Sequence, residues 1–595
     1  MTPLSLPQPH AGAPCRGTVS QMLVFALLIY ALTTSLLAAD QRALLGIWSG
    51  KLVIPNGPTL KLALEVTERS EGALAADLIS LDQGADGAPS ASVSLDGSAV
   101  RVEIRRPKVI ITGTLSEDGQ TLDTEYRQGD FRAPLFLRRV DRVPGMAPRA
   151  QSPVRPYPYD EEEVTYPGGA ANVTLAGTLT LPRDNGPHPA VVLVTGSGPQ
   201  GRDELIGYHR PFLVLADYLT RRGIAVLRYD DRGVGESSGP YDTATSADFA
   251  DDAQAGVTYL RSRADIDLGR VGMVGHSEGG MVAPMVAARL PELGFIVLLA
   301  GPGIPIDPLI VNQIGLFTLA AGATEAEVEV LRAMHSTIHQ AINTRESRSD
   351  IFAAIQTYYQ NLSDAEAGLL GWSIGRLNAV IESRLTPWWR YFLSFDPAVY
   401  LQQVDCPLLA LNGDRDLNVT ASENLAAIAH ALDVAGNTDY RVVELPGLNH
   451  MLNANGIGEP ADTTRAIETI SPEALRIVSA WIRERAGMTP LDTAVLRPAS
   501  ALPQQLSLEP SYPNPFNGAT TIRFLLPRAG TVEIRVYNLS GQRVATLVRE
   551  ALNAGAHTVQ WNGTNDRGYP AASGVYSVQL RGADQIVAQR LLLLR

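Results

Sequence analysis

Cysteine is almost missing: the 595 residues contain two, Cys15 and Cys406. Cys15 precedes an apolar segment that is expected to be removed, so Cys406 would stand alone and no disulfide framework is possible. Its place ahead of that segment also excludes a lipoprotein anchor, which would sit just after it. Positive charge is scarce as well, with 49 Lys and Arg against 62 Asp and Glu, a formal net charge of −13 and a pI near 5.3. Without a basic patch to meet phosphates, no nucleic-acid partner is expected. Long hydrophobic runs are limited to one, MLVFALLIYALTTSLLAA at 22–39, preceded by Arg16. It reads as the core of a secretory signal peptide spanning 1–39, although Leu36 or Leu37 stands where a small residue is preferred before cleavage. An uncleaved anchor is the alternative, since 18 residues just suffice to span a bilayer. After signal removal no stable membrane span is expected.

What is present is enough for several domains, because one core seldom grows beyond roughly 250–300 residues. Residues 40–141 alternate apolar and polar positions between Gly and Asp-Gly turns, with KLALEVTE and AVRVEIRR as strands and SEDGQ as a turn, which predicts a small antiparallel β barrel or sandwich. A proline-rich linker follows at 142–158. Over 159–487 the pattern changes to apolar runs at 190–194, 224–229, 271–274, 295–300, 408–412 and 441–445, separated by amphipathic stretches. That alternation predicts a mostly parallel, doubly wound sheet with helices on both faces. Sites in such sheets lie at the carboxyl ends of the strands.

Between 304 and 397 the alternation stops, and helical segments carrying Trp372, Trp388, Trp389, Tyr391 and Phe392 predict a lid. Those aromatics either pack the lid's own core or touch substrate. A second linker at 488–510 leads to 511–595, where TVEIRVYNLSGQRVATLV reads as strand, turn and strand of a small Ig-like β sandwich.

Within the central domain, VGMVGHSEGG places Ser277 between Gly275 and Gly279, after a short apolar run and before apolar residues at helical spacing, Met281, Val282, Met285, Val286 and Leu290. Strand, sharp turn and helix are the setting of a nucleophile elbow, in which small residues let the chain close while the serine is pushed outward. A serine needs a base, and the base an orienting acid. LLALNGDRDLNV offers Asp416, with Asp414 as the alternative, and VVELPGLNHML then offers His450, in the order Ser, acid, His. The oxyanion would be held by the N–H of Glu278 and by the N–H of Ser197, or Gly198, in VVLVTGSGPQG.

Two rival motifs compete. Gly196, Gly198 and Gly201 with Asp230 spell a dinucleotide fingerprint, but Pro199 breaks the turn and RDELIGYH stands where a helix should begin. His335 and His339 have zinc-helix spacing, but Ser336 replaces the general-base glutamate, and the pair reads as a solvated helix face. Arg232, Gly233 and Gly235 read as shaping a strand-to-helix loop. No cofactor and no metal are expected.

GHSEGG, GSGPQGRDE, RYDDRGVGESSG, NGDRD and LNHML together resemble the α/β-hydrolase superfamily over 159–487, and more narrowly EstD-like carboxylesterases, which overlap with serine aminopeptidase-like hydrolases. The resemblance implies a serine hydrolase with nucleophile Ser277, acid Asp416 and base His450, acting on a small-molecule ester. A peptidase or acyl thioesterase is the alternative, as is a surface-binding protein built on a hydrolase scaffold. For a free-amine substrate an acidic pair near the lid would be needed, supplied by Glu382, Asp396 or another carboxylate. Many relatives carry His where this chain has Thr195. The tail, from YPNPFNGATTIRFLLPRAG through ASGVYSVQL, is similar to C-terminal sorting domains of type IX secretion, which implies the secretion machinery as a partner and a secreted or cell-surface location.

Overall fold

A computed structural model describes residues 41–594, apart from 455–467, 490–505 and the short stretches 70–71, 85, 147–148, 346, 509–510, 512–513, 515, 517, 527–529, 553–554 and 583–584. The segment read as a signal peptide lies outside the described residues. Among the described residues, no helix is long and apolar enough to cross a membrane.

The chain divides into two compact units. The first is a closed barrel of eight consecutive strands, β1 (Gly46–Val53) to β8 (Phe131–Val140). Each strand is hydrogen-bonded to its sequence neighbour, and β1 closes antiparallel on β8 with Ile47 opposite Val140. Trp48 points into this barrel fully buried, donates its indole N–H to the Leu44 carbonyl at 2.8 Å and carries the Arg139 guanidinium over its ring. Closure leaves no free edge, which settles the choice between barrel and sandwich.

The second unit contains an eight-stranded sheet built from β9 (Asp160–Pro167), β10 (Thr174–Leu181), β11 (His188–Val194), β12 (Ala225–Tyr229), β13 (Ile266–His276), β14 (Phe295–Leu299), β15 (Leu408–Gly413) and β16 (Tyr440–Leu445). Their order across the sheet is β16-β15-β14-β13-β11-β12-β10-β9. The six strands from β11 to β16, each matching one of the six apolar runs to within one residue or containing it, are mutually parallel, whereas β10 runs antiparallel to both β9 and β12. Strands β11, β12, β14 and β15 are buried at every position. They read as unbroken apolar runs because both faces are covered. One face packs helices Ser246–Arg261, Gly279–Ala287 and Ala421–Ala435, and the other packs Pro211–Thr220 and Pro472–Arg485.

Between β14 and β15 the described residues form seven helices, from Ile306–Ala320 to Ala398–Leu401. Five of their starts follow from the sequence: Thr324, Ser347, Ser363, Ser373 and Thr386 each accept, on the side-chain oxygen, a backbone N–H of the helix that follows. Met334, Ile338, Ile351, Leu377 and Ile381 form a core of the insertion's own, joined by Trp372.

His335 and His339 overturn the reading of a solvated face. They lie on helix Glu325–Thr344 and are 5% and 0% exposed, because Met334, Ile338 and Ile342, one place before or three after them, turn the same side inward. His339 Nδ1 is 2.7 Å from Asp307 Oδ1. Burial, reinforced by the charge of Arg384, lowers the His335 pKa to about 3. No cluster that could hold a metal ion occurs among the described residues.

At the C-terminal end, β17 (Ser507–Leu508), β18 (Thr520–Leu526) and β21 (Gly555–Trp561) form one sheet. A second contains β19 (Gly530–Asn538), β20 (Arg543–Leu552), β22 (Gly574–Gly582) and β23 (Gln585–Leu593). The expected strand, turn and strand correspond to β19 and β20. Ile522, Phe524, Ile534, Val536, Trp561 and Val578 fill the space between the sheets, as in a β sandwich.

Candidate active site

Strand β13 runs on to His276, and helix Gly279–Ala287 starts three residues later. Ser277 makes the turn at φ 52°, in the left-handed region that residues with side chains seldom occupy. The close approach around it is possible only with glycine: a Cβ on Gly275 would lie 2.0 Å from the Gly279 carbonyl oxygen, and one on Gly279 would lie 2.2 Å from that of Val194. The strained serine is held by its own N–H, which donates to the Leu299 carbonyl at 2.9 Å. The helix is shorter than the spacing predicted. It ends at Ala287, and Leu290 packs on the same core from the turn beyond.

Asp416 and His450 follow the ends of adjacent strands, β15 and β16. Their loops approach closely at Gly413, where a Cβ would lie 2.0 Å from the Leu448 carbonyl oxygen. Asp416 is 2% exposed. Its Oδ1 accepts the backbone N–H groups of Asn418 and Val419 at 2.8 and 2.9 Å, and Oδ2 lies 2.8 Å from His450 Nδ1. Asp414 is exposed, and its Oδ1 accepts the N–H of Gly447 instead.

Ser277, His450, Glu278 and Ser197 all line one cavity of about 420 Å³. Much of its wall is apolar, with Met281, Ile306, Leu309, Ile310, Phe317, Trp388, Trp389 and Phe392, while Arg415, Asn418 and Asn449 supply polar lining. Among the described residues, neither the Ser197 nor the Glu278 backbone N–H donates to a protein acceptor. The insertion's aromatics divide: Trp388, Trp389 and Phe392 face the cavity, and Trp372 packs inside the insertion.

Two carboxylates here gave no sign in the sequence. Glu278 is buried, and its Oε1 accepts from Ser246 Oγ at 2.6 Å and from the Trp388 indole N–H at 2.8 Å. Burial lifts its carboxyl to about 7, against those two hydrogen bonds. Glu204, also buried, meets His276. Glu382 and Asp396 do not line the cavity: the first pairs with Arg348, and the second accepts the Ala398 N–H.

The glycine-rich loop does not open a helix, which begins only at Pro211. Asp230 is buried and committed to Arg202 and the Glu236 N–H, so it is not free to take a ribose hydroxyl. Arg232 ties its loop to helix Ser246–Arg261 through Asp252 and Asp248.

Residues 169–443 match the family model described as X-Pro dipeptidyl-peptidase (S15 family). Residues 514–585 match that of the FlgD Ig-like domain. Esterase EstD of Thermotoga maritima is 27% identical over 347 residues, 57% of this chain and 73% of that protein. Among solved structures, the esterase Pf2001 of Pyrococcus furiosus is similar with a TM-score of 0.34 and 17% identity, over 55% of this chain and 93% of that one. A proline iminopeptidase of Mycobacterium smegmatis is similar with a TM-score of 0.34 and 17% identity, over 55% of this chain and 98% of that one. The central domain is thus similar to known hydrolases, an esterase and a peptidase family among them, and the C-terminal module is similar to the FlgD Ig-like domain.

Proposed function

We propose that this chain is a serine hydrolase that cleaves carboxylic esters through an acyl-enzyme. The observation that carries the reading is the 2.8 Å contact between Asp416 Oδ2 and His450 Nδ1 in loops that share a cavity with the strained Ser277. Asp416 holds the imidazole with its Nδ1–H toward the acid, leaving Nε2 to take the proton of Ser277. The serine attacks the ester carbonyl, and the N–H groups of Glu278 and Ser197 receive the developing oxyanion. His450 then protonates the leaving alcohol and activates the water that releases the acid. The largely apolar wall suits an uncharged acyl group, and the helical insertion that supplies part of it serves as a lid. A Ser277→Ala variant that folds normally is expected to lose p-nitrophenyl ester hydrolysis by at least ~10⁴-fold. Wild-type turnover in that variant would end the proposal.

The match to the S15 peptidase family favours a second reading, hydrolysis of an amide by the same machinery. An aminopeptidase must hold a free ammonium; Glu382 and Asp396 are turned elsewhere, and Glu278, which lines the cavity, already accepts on Oε1 from Ser246 and Trp388. Assay of p-nitrophenyl esters beside X-Pro and aminoacyl p-nitroanilides separates the two, with the esters expected to be the better substrates.

A further inference from the structure

Next to the proposed oxyanion donors lies a buried pair for which this chemistry has no use. His276 ends β13 immediately before Ser277, and Glu204 belongs to the 195–210 loop after β11. Their side chains are almost wholly inaccessible. His276 Nδ1 is 2.8 Å from Glu204 Oε1, and His276 Nε2 is 3.1 Å from the backbone oxygen of His450. The same Glu204 Oε1 accepts the Gly196 N–H at 2.7 Å. One imidazole and one carboxylate oxygen thereby join three segments: the elbow, the loop carrying Ser197 and the loop carrying His450.

The protons follow from the partners. A carbonyl oxygen can only accept, so Nε2 carries a hydrogen. Glu204 Oε1 already accepts an N–H from Gly196, as a carboxylate does, so Nδ1 carries one as well. His276 is then an imidazolium facing its counter-ion. Burial opposes that charge, but the charge and hydrogen bond of Glu204 outweigh it and hold the pKa of His276 above its ordinary value. The arrangement persists against local cost. Glu204 sits at φ 53°, and its Oε2 is buried without a hydrogen-bond partner. Gly196 makes the approach possible, since a Cβ there would lie 3.2 Å from Ser277 Cβ and 3.3 Å from Glu204 Oε1.

Because Gly196 has given its N–H to Glu204, the next one along the loop, that of Ser197, is left for the oxyanion. We propose that Glu204 and His276 are a positioning pair that sets the Ser197 N–H and the His450 loop against the nucleophile before substrate arrives. The role rests on the serine-hydrolase reading. Donors fixed in advance need no rearrangement during reaction, and a misplacement of about 1 Å can cost about 100-fold in rate.

Glu204→Gln in the full chain keeps the shape and an acceptor for Gly196 but removes the counter-charge. A neutral His276 cannot then donate to both the substituted amide oxygen and the His450 carbonyl. The expected result is a folded variant whose kcat on a p-nitrophenyl ester falls about 10- to 100-fold with KM little changed. An unchanged kcat, or a change in KM alone, would overturn the pair's role. If the variant does not fold, the wild-type chain labelled with ¹⁵N-histidine decides: one ring should lose its second ring proton only above the ordinary histidine pKa of 6.5. Absence of any such ring overturns the assignment. A wild type with no esterase activity would instead remove the underlying reading, so the two failures are distinguishable.

Discussion

Asp414 and Asp416 are the same residue type two positions apart, yet only one can orient a base. Asp416 is sealed under its loop with both oxygens engaged, while Asp414 faces solvent and caps Gly447. Asp416→Asn is expected to lower kcat by about 10⁴-fold, because an amide can leave the imidazole in the wrong tautomer. Asp414→Asn should stay within a few-fold of wild type, and steady-state kinetics on one ester checks both. A larger loss in Asp414→Asn would reverse the assignment. As candidates, Ser277, Asp416 and His450 were legible in the sequence because each sits in a short motif and their order along the chain is constrained. Glu204 was not, since nothing in GSGPQGRDE distinguishes a carboxylate that turns inward from one left in water. His335 and His339 were misread although Met334, Ile338 and Ile342 beside them carried the signal for burial.

At the scale of elements, the six parallel strands were readable as apolar runs because two-sided burial removes polar positions from them. The antiparallel β9 and β10 were not, since DEEEVTYP and TLAGTLTL lie outside those runs. Nor could the sequence show how the insertion meets the elbow, which depends on contacts more than a hundred residues apart. That junction is Glu278, bonded to Trp388 of helix Pro387–Leu393 and to Ser246 of helix Ser246–Arg261. Its carboxyl titrates near 7 in the folded chain against an ordinary 4.5. Between those values the folded protein holds a proton that the unfolded chain releases, so this group's contribution to stability is lost as pH rises from 4.5 to 7. Glu278→Gln retains an acceptor for both donors and removes the titration. It should therefore stabilise the protein at pH 8 by up to about 3 kcal/mol and change little at pH 4. Chemical denaturation at the two pH values tests this, and an equal effect at both would refute it.

Over the whole molecule, the C-terminal module has a core of its own, built from residues between Leu506 and Leu593, none of which belongs to the two cores flanking the eight-stranded sheet. Removing 511–595 is expected to leave kcat/KM on an ester within about two-fold, since no side chain of the site is lost. Export through this module remains a proposal drawn from its sequence. The same truncation in the native cell should trap active enzyme inside the envelope, and undiminished release would refute a sorting role. The insertion has a different bearing on the molecule. It lies between β14 and β15, and its two ends meet where the Ile306 N–H donates to the Phe395 carbonyl at 3.0 Å, so they are held together whatever lies between them. Closing a longer excursion between fixed neighbours costs only about 0.6 kcal/mol per doubling of its length. On the proposed function, that segment can therefore be lengthened, trimmed or exchanged, and the acyl preference with it, without rebuilding the reaction centre beneath.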